Sequence, residues 1–135
     1  MMTKMASVAV MLVSISARIA SASPEVLAVL LEDMITKTRV SVSLSEVFEH
    51  SVFTLTNPDR VVIDLYSTGI SEQALPLPEG RGVVRQIRSS KRDDGSLRIV
   101  LDLSSPIKPP NWRLAENPEQ NESLIVYLVP ADAKQ

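Results

Sequence analysis

From Arg39 onward, apolar residues recur at every second position in short runs, and the runs come twice in the same order. Successive side chains of an extended chain point to opposite sides, so strict alternation marks a strand with one buried and one solvated face. Arg39-Val40-Ser41-Val42-Ser43-Leu44 puts Val40, Val42 and Leu44 on one face. Val52-Phe53-Thr54-Leu55 is a further strand, and Asn57-Pro58-Asp59 is a turn, because Asn bonds its own backbone and Pro presets φ. Arg60-Val61-Val62-Ile63-Asp64-Leu65 turns Val61, Ile63 and Leu65 inward. The second pass matches the first: Arg98 to Leu103 answers Arg39 to Leu44, Trp112-Arg113-Leu114 answers Phe53-Thr54-Leu55, Asn117-Pro118 answers Asn57-Pro58, and Leu124 to Leu128 answers Val61 to Leu65.

Two more runs complete the set. Val26 to Leu31 is short and apolar, and Val83 to Arg88 resumes strand character after a Pro- and Gly-bearing loop from Tyr66 to Gly82. Asp93-Asp94-Gly95 is a hairpin turn. Four strands in each of two halves predict an all-β fold, a β-sandwich of two four-stranded sheets related by the internal repeat. The expected core is Val40, Val42, Leu44, Phe53, Leu55, Val61, Ile63, Leu65, Ile87, Ile99, Leu101, Leu103, Trp112, Leu114 and Val126.

The 135 residues suffice for one domain. Residues 1–22 read as a secretory signal: Lys4 leads, Met5 to Ala17 is apolar or small, and Ala20-Ser21-Ala22 is a cleavage site. The run is too short for a membrane span, and Arg18 interrupts it. The expected division is a signal peptide at 1–22, a sandwich domain at 25–128 and a polar tail at 129–135. The exported protein is expected in the periplasm and off the membrane once cleaved. Against 14 basic residues stand 16 acidic ones, which argues against a nucleic-acid partner.

Chemistry is scarce. There is no cysteine and one histidine, His50. A catalytic zinc ion takes about three protein ligands, so no metal site and no cofactor are expected, and His50 reads as a surface or turn residue. No Gly-x-Ser-x-Gly elbow is present. Arg81, Arg85, Arg88, Lys91 and Arg92 form the one local concentration of charge. They suit either a solvated edge strand guarded against aggregation or recognition of carboxylates, which guanidinium grips with two parallel bonds. Alternation also turns Arg39, Arg60, Asp64, Arg98 and Asp102 outward, with Arg88 beside them. Such groups either pair across strands, contributing little, or bind a ligand.

The run Val52-Phe-Thr-Leu-Thr-Asn-Pro-Asp-Arg-Val-Val-Ile-Asp-Leu65 resembles the central motif of the AMIN domain, and Val84 to Arg88 with Leu97 to Leu103 resembles its second half. The resemblance spans about Glu25 to Leu128. AMIN domains precede the catalytic domain of periplasmic N-acetylmuramoyl-L-alanine amidases and occur in type IV pilus secretins. The resemblance implies a non-catalytic module that binds peptidoglycan and targets its protein to the division septum or to envelope machinery. It leaves two alternatives: the N-terminal part of an amidase without its zinc domain, and an interaction module for septal or secretin proteins. The amidase domain of that family holds zinc with two histidines and a glutamate, which one histidine cannot provide, so the chain as given is not expected to be an enzyme. For such a function, the outward charges given by alternation, together with Asn57 of the turn, make Arg39, Asn57, Arg60, Asp64, Arg88, Arg98 and Asp102 the expected ligand-binding residues.

Overall fold

The computed structural model describes residues 23–47 and 49–133. The signal expected over 1–22 lies outside the described residues. Nine strands follow in order: β1 (Glu25–Asp33), β2 (Thr38–Leu44), β3 (His50–Leu55), β4 (Arg60–Leu65), β5 (Gly69–Ile70), β6 (Val84–Lys91), β7 (Leu97–Leu103), β8 (Asn111–Glu116) and β9 (Glu122–Leu128). They form two sheets, one ordered β5-β1-β2-β9-β8 and the other β3-β4-β7-β6.

The repeat is written into this order. Exchanging β1–β4 for β6–β9 turns β1-β2-β9-β8 into β6-β7-β4-β3, which is the second sheet. Each sheet therefore takes one hairpin from each half, and neither half can close a core without the other. The expected four-plus-four count becomes five-plus-four. The extra strand arises in the connecting segment, where Glu25 and Val26 pair in parallel with Gly69 and Ile70. A short 3-10 turn, Glu72–Ala74, follows and tucks Ala74 into the core. Near the end of this segment Gly82 adopts φ +56, and a Cβ there would strike the Thr38 hydroxyl, which accepts the Val83 N–H at 3.0 Å.

One apolar cluster joins both sheets. Val40, Val42, Val61, Ile63, Ile99, Leu101, Leu124, Val126 and Leu128 are all fully buried. Alternation on these central strands placed the inward side chains as expected, because both neighbours of each strand are present.

The edge strands depart from expectation. In β3 it is Val52 that packs against the core, while Phe53 and Leu55 lie on the outer face, half-buried. Cross-strand pairing gives the reason: Val52 stands opposite the inward Ile63, and Phe53 opposite the outward Val62. Trp112 stands opposite Val126, so the counterpart of Trp112 is Val52 and not Phe53. A slip of one residue in matching the halves exchanges the two faces. Trp112 and Leu114 do point inward, yet they are 46% and 42% exposed. They lie on an edge strand where the opposite sheet also ends. Across that gap the Trp112 ring meets His50 edge-on, with centroids 4.9 Å apart. His50, expected as a surface or turn residue, thus opens β3 and faces the other sheet.

Candidate functional site

The outer face of the second sheet carries an ordered charge pattern. Pairing sets Asp64 directly opposite Arg98 and Arg60 opposite Asp102, and it sets Arg88 one row from Asp102. Arg98 donates Nε to Asp64 Oδ1 and Nη2 to Oδ2, both at 2.8 Å. Arg88 donates Nε to Asp102 Oδ2 at 2.7 Å and Nη2 to Oδ1 at 3.0 Å. Both are fork-to-fork pairs, the strong geometry for guanidinium and carboxylate.

The guanidiniums lie over the acids. Asp64 is only 6% exposed and Asp102 only 5%, although both project from an outer face. Between the Asp64–Arg98 row and Asp102 runs a row of Phe53, Val62, Val100 and Arg88, from which Arg88 reaches over to Asp102. Val62 is buried yet stands apart from the sandwich core. The Arg98 guanidinium sits 5.7 Å from the centroid of the Phe53 ring, within cation–π range.

The Arg88 bonds hold the Asp102 carboxyl below its ordinary value of 3.8, helped by the charges of Arg85 and Arg60 and opposed by desolvation. A folded-state pKa that is depressed contributes stability above the unfolded pKa, and that stability is lost as pH falls through the folded value. The stability gap between wild type and Asp102→Asn should therefore be widest near neutrality and shrink below about pH 4. Thermal melts from pH 7 to pH 2 measure it, and a gap of constant size would exclude an ionised Asp102 as its source.

The residues expected at a site separate into groups. Arg60, Asp64, Arg88, Arg98 and Asp102 share this face. Asn57 sits at its end, in the β3–β4 turn, with φ 58. Arg39 is elsewhere, on the outer face of the first sheet, where it bonds Glu32 at 2.6 Å. Its strand lies in the other sheet because each half divides between the two. The charged run from Arg81 to Arg92 lies along and beside β6, an edge strand. Sequence reasoning missed Phe53 as part of the face. The signal was ambiguous, since β3 carries apolar residues at both Val52 and Phe53. Among the described residues no group of three or more His, Asp or Glu could hold a metal ion.

Two facing sheets, with no α-helix among the described residues, place the domain in the class of all-β sandwiches. The AMIN domain model matches residues 29–128, and the chain belongs to that family. It is 28% identical, over 130 residues, to the N-acetylmuramoyl-L-alanine amidase AmiC of Escherichia coli O6:H1 (strain CFT073). The match covers 93% of this chain and 31% of the amidase, so the chain spans less than a third of the length of that relative.

Proposed function

We propose that this domain is a non-catalytic peptidoglycan-binding module of the periplasm, which brings the polypeptide bearing it to the cell wall. Membership of the AMIN family and likeness to an enzyme named for its action on muramoyl-alanine support the reading. The observation that carries it is the second-sheet outer face. An outer face bearing Arg60, Arg88 and Arg98, the last two fixed over the buried Asp102 and Asp64, suits an extended polymer whose stem peptides offer carboxylates and whose sugars offer hydroxyls. Asn57 extends the same face at one end, and Arg39 would meet a second stretch of polymer on the opposite side. The binding requires no cofactor and no metal.

Purified domain should sediment with isolated sacculi, and less so as salt rises, since exposed charge contacts are screened within about 10 Å at 0.1 M. Replacing Arg88 and Arg98 together by lysine keeps a positive charge within reach of each aspartate and removes the fork. Sedimentation of this double variant should fall several-fold while the fold persists. Undiminished sedimentation would place the site elsewhere. Failure of the wild type to sediment would reject wall binding and favour a module that docks on septal or secretin proteins.

A further inference from the structure

At the end of the charged face nearest the β3–β4 turn, a cleft of about 230 Å³ opens between the second sheet and the segment 106–110. Leu55, Leu103, Ile107 and the prolines of that segment make apolar walls, and Thr56, Asp59 and Arg60 bring polar groups to it. Arg60 differs from its neighbours on the sheet. The ion pairs among the described residues are Arg39–Glu32, Arg88–Asp102 and Arg98–Asp64. Arg60 takes part in none of them; its side-chain hydrogen bond runs from Nη1 to the Pro58 carbonyl at 2.8 Å. Arg88 and Arg98 each spend a full fork on an aspartate, whereas the Nε and Nη2 of Arg60 remain available beside an apolar hollow. A spare guanidinium next to aliphatic walls suits a group that is anionic at one point and hydrocarbon at the next.

We propose that this cleft takes the carboxyl-terminal end of a peptide whose last side chain is short and aliphatic. The terminal carboxylate lies on Arg60, the side chain lies against Leu55, Leu103 and Ile107, and the last peptide N–H faces Asp59 or the Thr56 hydroxyl. At roughly 30 Å³ per water in the liquid, the volume is that of a handful of waters, which fits one or two small residues. The source of such an end, a stem peptide, rests on the reading of the domain as a wall binder; the chemistry of the cleft does not.

The test is an NMR titration of the ¹⁵N-labelled domain with acetyl-alanyl-alanine, in both chiral forms, and with the corresponding amide. The acid should shift the amide signals of Leu55, Thr56, Arg60 and Ile107 saturably. The amide should bind about tenfold more weakly, as expected from loss of one charge-assisted contact. Arg60→Gln should abolish the difference between acid and amide and lower sedimentation with sacculi. Equal shifts with acid and amide, shifts confined to other surfaces, or none at all would overturn the proposal. If Arg60→Gln fails to fold, the acid–amide comparison on the wild type still decides. No shift in a protein that sediments with sacculi rejects the cleft and leaves wall binding intact. Shifts in a protein that does not sediment reject wall binding and leave the cleft as a carboxyl-terminus site.

Discussion

Replacing Ile63 by alanine should lower stability by about 2–5 kcal/mol, the range for a large-to-small change in a packed interior. Ile63 is fully buried. It lies on β4, which is flanked by β3 and β7, opposite Val52 on one side and Ile99 on the other. Neighbours hydrogen-bonded in place on both sides leave the site little freedom to collapse around the lost methyls. Urea titration of wild type and variant measures the change, and a loss below about 1 kcal/mol would mean that the interior relaxes around the gap. The corresponding change at Trp112 should cost less per atom removed, because that side chain is 46% exposed and part of its surface already faces water.

Arg98→Ala should cost about 1–2 kcal/mol, which is not the behaviour of an ordinary surface arginine. Removing it leaves the Asp64 carboxylate, 6% exposed, without the two bonds it accepts. An orphaned buried polar group costs roughly 1–3 kcal/mol. The lower part of that range applies because the Arg98 side chain is itself 28% exposed, so water reaches the vacated space. The double variant Arg98→Ala/Asp64→Ala should lose less than the sum of the two single changes, since it removes both the charge and its partner. Additivity within about 0.5 kcal/mol would show that the pair is not coupled. Alternation alone makes Arg88 and Arg98 look free to change without effect on stability. The ion pairs revise this, which is why lysine rather than alanine is the informative replacement in a binding assay.

Much of this architecture was legible in the chain because strands with a neighbour on each side obey a simple rule. For β2, β4 and β7, and for β9 from Leu124 onward, every inward position is covered, so period-two patterning places the core side chains directly. The turn at Asp93-Asp94-Gly95 was equally local: Gly95 takes φ +86, and the Asp94 carboxylate accepts the Ser96 N–H at 2.9 Å and the Ser96 hydroxyl at 2.6 Å. The outward placement of Arg60, Asp64, Arg88, Arg98 and Asp102 came from the same alternation.

The sequence by itself therefore determined the strands of the two halves, their repeat, the central core and the sidedness of the charges, all of which depend on patterns local to each strand. Tertiary structure alone decided the rest. That each half divides between the sheets depends on pairings such as Val40 with Val126 and Ile63 with Ile99, which join distant residues and leave no local trace. The same division carries Arg39 to the face opposite Arg98. The inward residues of β3 were decided by register against β4, because apolar side chains occur on both of its faces and a slip of one residue inverts it. Whether Trp112 was buried depended on where the opposite sheet ended. Whether Arg60 was free depended on which carboxylates the other two arginines had taken, a competition settled only once four strands stand side by side.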